Sequence, residues 1–175
     1  MNKNSWYVIT GGPCAGKTTL LTAIKEKGYE VVDEAARLII ETEIKKGRTL
    51  ADIRKNEFLF QQLVLRKKVA VEKELPKNKI VFLDRGIPDS VAYYIACGFA
   101  DDAEMTEALK DVYYKKVFLL NMIGYALDNA RNETEEEANR IHELLESSYR
   151  DLGFPVIKVP VLPIQERVEF ILNNL

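Results

Sequence analysis

The sequence predicts an α/β fold built on a five-stranded, largely parallel sheet with helices on both faces, and three observations carry that expectation. Short β-rich runs alternate with longer helical patterns from end to end, as in chains of βαβ units. Most of the short runs are apolar throughout, which suits strands covered on both faces. The 175 residues are 47% hydrophobic, enough to bury a core without metal or disulfide staples.

In chain order, Ser5–Thr10 reads as the first strand and a glycine-rich turn leads from it into a helix over Lys17–Lys27. Glu30–Asp33 is the second strand, followed by helices over Glu34–Lys46 and Leu50–Leu75. The long helix places Ile53, Phe60, Leu63 and Val64 on one stripe, so its Arg66-Lys67-Lys68 run reads as a solvated face rather than a nucleic-acid site. The third strand is Lys79–Asp84 (KIVFLD), with helices over Pro88–Cys97 and Ala103–Tyr114 behind it. Lys116–Asn121 (KVFLLN) is the fourth. A helix over Thr134–Leu152 follows, and its Glu135-Glu136-Glu137 run is explained by a capping box, Thr134 with Glu137, rather than by a metal. Pro155–Val159 is the fifth strand and Pro163–Asn174 the last helix. No repeat, Pro/Ser-rich linker or low-complexity tract divides the chain, so residues 1–175 are expected to form one domain.

Composition narrows the function. The 25 basic and 27 acidic side chains leave a net charge of -2, so no global field draws in nucleic acid or anionic lipid. One histidine, His142, and two cysteines, Cys14 and Cys97, are too few for a zinc finger, a His-rich metal centre or a Ser-His-Asp triad. MNKNSWYVITGG resembles neither a secretory signal nor a transit peptide, and no apolar run approaches the roughly 18 residues that span lipid. A cytoplasmic protein without membrane insertion is expected, and two separated cysteines suit that compartment.

The turn after the first strand carries the chemistry. Gly11-Gly12-Pro13-Cys14-Ala15-Gly16-Lys17-Thr18 satisfies G-x-x-x-x-G-K-[ST] and runs into the helical Thr19-Leu20-Leu21, the strand–loop–helix context of a phosphate-binding loop. Gly11 and Gly16 allow dihedrals and a close approach that a Cβ would block, while successive amides and the helix N-terminus face the phosphates. Pro13 has no N–H, so the cradle relies on Cys14 onward, through Ala15 to Thr19. Cys14 there reads as a small residue that fits, in preference to a redox-sensitive thiol. Lys17 would reach the β- and γ-phosphates, and the Thr18 hydroxyl would hold a Mg²⁺ bridging them.

Phosphoryl transfer also needs a carboxylate in the metal shell and, for a hydroxyl acceptor, a base. Asp84 stands at the carboxyl end of an apolar strand, the edge where ligands sit in open α/β sheets, and is expected to be the Mg²⁺ carboxylate. Arg85 beside it would neutralise the transferring group or grip the acceptor, a surface ion pair being the alternative. Glu34 and Arg37 lie one turn apart after the second strand. Glu34 fits a general base, and Asp33 and Glu34 equally fit helix N-terminal acids partnered by Arg37. Asp128 to Glu133 is a polar break that fits either a lid delivering Arg131 to the developing charge or an ordinary loop. Tyr93, Tyr94 and Tyr125 could stack on an acceptor ring, though aromatic residues in helices more often pack.

With the loop, VVDEAAR, FLDRGIPDS, the Tyr125–Arg131 stretch and LGFPVIKVP in view, nearly the whole chain resembles the NadR-like AAA-type ATPase family, whose P-loop fold is related to nucleoside and nucleotide kinases. The resemblance implies ATP-dependent kinases of small molecules, the namesake domain resembling a nicotinamide riboside kinase, alongside members that bind ATP or GTP without a settled reaction. It also implies the strand order 2-3-1-4-5. By similarity to deoxynucleoside kinases, Glu34 matches the base, Asp84-Arg85 the acid–arginine pair and Arg131 the lid arginine. The Pro160-Val161-Leu162 loop would pack on the nucleotide base, which places Val161 and Leu162 in the nucleotide site. Related kinases often use two lid arginines, whereas here Arg140 lies a turn or more beyond Arg131.

The reading that results is a Mg-ATP-dependent kinase of a small, nucleoside-like acceptor. Lys17, Thr18 and Asp84 would handle the nucleotide, Glu34, Arg37 and Arg85 the acceptor, and Arg85 and Arg131 the transition-state charge. The rival is a nucleotide-dependent switch that hydrolyses slowly. No N/T-K-x-D motif follows a late strand, since Asn78-Lys79-Ile80-Val81 lacks the acid; GTP bound through backbone groups stays open. A mechanical ATPase would need more elements than 175 residues allow.

Overall fold

The structure, a computed structural model, describes residues 4–13, 15–100, 102–122 and 134–175. Five parallel strands, β1 (Ser5–Thr10), β2 (Glu30–Val32), β3 (Ile80–Asp84), β4 (Lys116–Leu120) and β5 (Val156–Val159), lie in the order β2-β3-β1-β4-β5. Each begins and ends within a residue of its expected bounds, because the short apolar runs admit little else.

Side chains alternate across the sheet with the period of two that a strand dictates. Tyr7, Ile9, Phe82 and Phe118 face α1 (Lys17–Glu26) and α8 (Ile164–Leu172), where Leu20, Ile24, Val168 and Ile171 close the layer. Trp6, Val8, Val81, Leu83 and Val117 face the other way onto Tyr114 and Tyr149. That second layer contains α5 (Pro88–Ala96) and α7 (Glu135–Arg150), with α4 (Glu57–Glu74) packed against α5. The capping box expected at Thr134 and Glu137 heads α7. Among the described residues no helix is long and apolar enough to cross a membrane.

The region after β2 differs from expectation. The single helix read over Leu50–Leu75 is two, α3 (Leu50–Arg54) and α4, which follow α2 (Ala35–Lys45). The Asn56 side chain accepts the Leu59 N–H at 3.0 Å and caps a new helix, while Thr49 and Asp52 form a complete capping box on the short one. The expected stripe loses Leu63, which is exposed, and keeps Ile53, Phe60 and Val64. The helix read over Ala103–Tyr114 is only α6 (Ala103–Leu109), because Tyr114 turns under the sheet.

The Arg66-Lys67-Lys68 run also needs correcting. Arg66 and Lys67 are exposed, Arg66 with Glu104 at 2.6 Å, but Lys68 is buried and donates to the Gly86 carbonyl (2.8 Å) and Ser90 Oγ (3.1 Å). One turn on, buried Glu72 accepts the Tyr114 hydroxyl at 2.7 Å. Burial raises its pKa to about 7 against the hydrogen bond and Lys68, which both lower it. An acid with a raised folded pKa holds an extra proton between its usual range and that value, so its contribution to stability fades as pH rises through about 7. The stability of wild type relative to Glu72→Gln should therefore fall by up to about 1.4 kcal/mol per pH unit across that window. Urea unfolding of both proteins at several pH values tests this, and a difference independent of pH would refute it.

Candidate active site

Parallel strands bring their carboxyl ends to one edge, and every candidate residue on β1, β2 and β3 arrives there. Arg85 N–H donates to the Ile9 carbonyl at 3.1 Å, and Asp84 pairs in register with Ile9, one residue before Thr10. The phosphate loop and the Asp84-Arg85-Gly86 turn thus start from adjacent strands.

The loop has the geometry its glycines predict. Gly11 has φ 149°, and a Cβ on it would lie 2.8 Å from the Leu120 carbonyl oxygen. Gly16, the residue before α1, has φ 78°. Gly12 is wedged against α7, its N–H donating weakly to His142 Nδ1 at 3.4 Å. Lys17 Nζ donates to the Gly11 and Gly12 carbonyls at 2.8 and 2.9 Å, folded back over its own loop. Burial first, then Arg85, lowers its pKa to about 7, against Asp84, Glu34 and Asp89, which raise it. An ammonium so disfavoured sits where an anion would suit it better. Thr18 and Thr19 are exposed at the head of α1.

Lys17, Glu34, Asp84 and Arg85 lie close enough together for their charges to interact. Arg85 Nε donates to Glu34 Oε1 at 2.9 Å, its NH1 approaches Asp89 Oδ1 at 3.4 Å, and its guanidinium lies 5.3 Å from the centre of the Tyr93 ring. Its backbone φ of 70° lies in the left-handed region, strain that its surroundings must hold. Asp84 is buried, and its Oδ1 has no hydrogen-bond partner among the described residues. Burial first, then Glu34, pushes its carboxyl up to about 6, against Arg85 and Lys17. A buried acceptor oxygen without a donor fits a cation or a water. Among the described residues no group of three or more His, Cys, Asp or Glu could form a metal cage. This donor set fits an ion that takes one carboxylate and a hydroxyl and completes its shell with phosphate oxygens and water, the habit of Mg²⁺.

Some expectations are redistributed. Glu34 pairs with Arg85, 51 residues away, rather than with Arg37, which is exposed. Tyr94 is core, packed with Phe58 and Phe99. Val161 is exposed and Leu162 half-buried just beyond β5. Cys14, Tyr125, Arg131 and the whole Asp128–Glu133 break lie outside the described residues.

Asp89 was not singled out from the sequence, and it organises the turn. Fully buried in the first turn of α5, it accepts from Thr10 Oγ1 (2.6 Å), the Gly86 N–H (2.9 Å), Arg85 and the Tyr149 hydroxyl. A carboxylate four residues after an arginine on a strand-to-helix turn was the available signal. Gly86 is packed so closely that a Cβ would lie 2.8 Å from Tyr114 Cζ and from the Tyr149 hydroxyl, both fixed in the core. Gly86→Ala should therefore cost about 1–3 kcal/mol of unfolding free energy, because neither ring can yield. Denaturant titration measures this, and a loss under about 0.5 kcal/mol would show that the turn relaxes.

A strand running into this glycine loop, with Lys17 at the head of the next helix and an acid ending the neighbouring strand, defines a P-loop protein with the topology of nucleoside and nucleotide kinases. The chain belongs to the AAA-domain family, whose model matches residues 6–167. No curated protein matches it. Deoxyadenosine kinase from M. mycoides, solved with products dCMP and a flexible dCDP bound, superposes with TM-score 0.67 at 20% identity over 97% of each chain. Thymidylate kinase from Ehrlichia chaffeensis gives 0.65 at 15% over 98% of each. That from Candida albicans gives 0.63 at 14% over 98% of this chain and 91% of its own. At such identities the likeness shows the fold.

Proposed function

We propose that the protein transfers the γ-phosphoryl group of ATP to a hydroxyl of a small, uncharged, nucleoside-like acceptor. The observation that carries this is the Glu34–Arg85 pair, held at 2.9 Å beside Asp84 and Lys17 on the carboxyl edge of the sheet. It joins an acid able to take a hydroxyl proton to a guanidinium able to stabilise phosphoryl charge. In this reading Lys17 and the amides of residues 14–19 hold the phosphates, and Val161 and Leu162 cover the base. Thr18 and Asp84 hold Mg²⁺, which would neutralise charge on the phosphates when bound. Arg131 adds a second cation from the segment after β4.

The electrostatics favour a neutral acceptor. Arg85 is already met by two carboxylates, Glu34 and Asp89, so an acceptor phosphate would have to compete with both. Of the cations expected on the acceptor side, only exposed Arg37 has no ion pair among the described residues. The crevice beside this pair, lined by Val32, Asp33, Leu38, Asp84 and Arg85 among others, is narrow, about 20 Å³, room for about one water. Deoxyadenosine kinase, among the structural neighbours, carries a nucleoside in its name and thymidylate kinase a nucleotide. The charge balance here sides with the former.

Labelled ATP and GTP, each offered with nucleosides, nucleoside monophosphates and other small alcohols, test the reading. Labelled product that depends on a nucleoside and forms faster from ATP is expected. Tight nucleotide binding with no product from any acceptor would replace the kinase with a nucleotide-dependent switch.

A further inference from the structure

The largest fully buried side chain in the described protein is charged. Arg167, on α8, is 1% exposed, and its partners among the described residues are all main-chain carbonyls. NH1 donates to Ala15 at 2.9 Å, NH2 to Asn121 at 3.3 Å and Nε to Pro160 at 3.3 Å. These acceptors belong to the phosphate loop, to the residue after β4 and to the residue after β5. One guanidinium therefore ties together three loops on the edge where the candidate site lies. Burial pushes its pKa down from the usual arginine value, yet a guanidinium stays protonated at neutral pH. It is a buried charge neutralised by dipoles rather than by a carboxylate.

Its hold on Ala15 has a geometric consequence. In a trans peptide the C=O and the following N–H point to opposite sides. A cation that grips the Ala15 carbonyl from the α8 side therefore turns the Gly16 N–H the other way, outward at the head of α1 where a phosphate would sit. Gly16 has φ 78°, a left-handed conformation that glycine adopts without penalty, so the peptide before it is free to take this orientation.

We propose that Arg167 is a positioning residue of the phosphate loop: it pins the Ala15–Gly16 peptide with its N–H toward the anion and keeps a positive charge beneath it. The inference rests on the nucleotide-binding reading for its ligand, but not for its structural half.

Arg167→Met removes both the fork and the charge, and Arg167→Lys returns the charge alone. ATP, ADP and AMP binding by calorimetry and amide exchange over residues 11–20 are compared with wild type, after circular dichroism has shown both variants folded. In Arg167→Met the affinity for ATP should fall about tenfold or more, that for ADP less and that for AMP within about twofold. Exchange over residues 11–20 should quicken about tenfold while β4 is unchanged. Arg167→Lys should recover about threefold or more of the lost ATP affinity but not the slow exchange. Equal losses for ATP and AMP would reduce Arg167 to a core residue, and wild-type exchange and affinity in Arg167→Met would overturn the proposal. If Arg167→Met does not fold, Arg167→Lys decides: exchange and ATP affinity both like wild type refute it, and faster loop exchange with weaker ATP binding supports it. If wild type binds no nucleotide, the proposed function fails, and the exchange comparison still judges the hold of Arg167 on the loop.

Discussion

Lys17→Ala is expected to weaken Mg-ATP binding by about a hundredfold or more while leaving the fold as stable as before. The ammonium now bonds the Gly11 and Gly12 carbonyls, and burial holds its pKa at about 7. Against phosphate oxygens it would make charge-assisted hydrogen bonds, and truncating one partner of such a buried pair costs about 2–5 kcal/mol. Stability answers differently. The depressed pKa means that the ligand-free fold disfavours the charged form, so near neutral pH the side chain contributes little to holding the protein together. Loss of binding without loss of stability is the mark of a group placed for a ligand. Calorimetric titration and thermal melting of one preparation read both quantities. Affinity within about threefold of wild type would remove the loop from the nucleotide site, and a collapse of the melting temperature would make Lys17 structural.

Strands, the phosphate loop and Asp84 were legible because their signals are local. An apolar run of five residues between turns has few alternatives, and a glycine loop between strand and helix carries its own context. The break at Asn56 was equally local, since Thr49 with Asp52 and Asn56 before Leu59 are cap patterns. It was obscured because Arg54, Lys55 and Glu57 continue a helix as comfortably as they end one. Lys68 was not legible at all. A lysine between another lysine and a valine looks solvated until a carbonyl 18 residues away, Gly86, and a hydroxyl 22 away, Ser90, are brought over it.

The site divides in the same way. Glu34 and Arg85 were recognisable as strand-end residues, but their pairing spans 51 positions, and the local alternative, Arg37, was the partner that spacing offered. An acid in a first helical turn, as Asp89 is, is ordinary in sequence; two of its partners come from β1 and α7, 79 and 60 residues away. Arg167 falls on the apolar stripe of its helix, three residues after Ile164 and four before Ile171, so spacing marked it as turning inward, but its backbone partners could not be read. What sequence hid is therefore a consistent class, polar groups satisfied by distant backbone or by a core tyrosine.

Glu34→Gln should lower acceptor-dependent phosphoryl transfer by about 10²–10⁴-fold and leave Mg-ATP affinity within about threefold. The amide keeps the length and an acceptor oxygen for Arg85 Nε, so the turn should keep its shape, but it cannot take the hydroxyl proton. If Glu34 serves only to hold Arg85 in its strained φ of 70°, the glutamine would preserve most of the rate. Glu34→Asp then separates the two roles from the other side: it retains a base but shortens the arm that reaches Arg85. A base at this position predicts that Glu34→Gln loses the acidic limb of the pH–rate profile along with its rate, whereas a tether predicts an unchanged profile and a raised KM. The second outcome would return Glu34 to the ion pair seen at 2.9 Å and move the search for a base to Asp33 or Asp84.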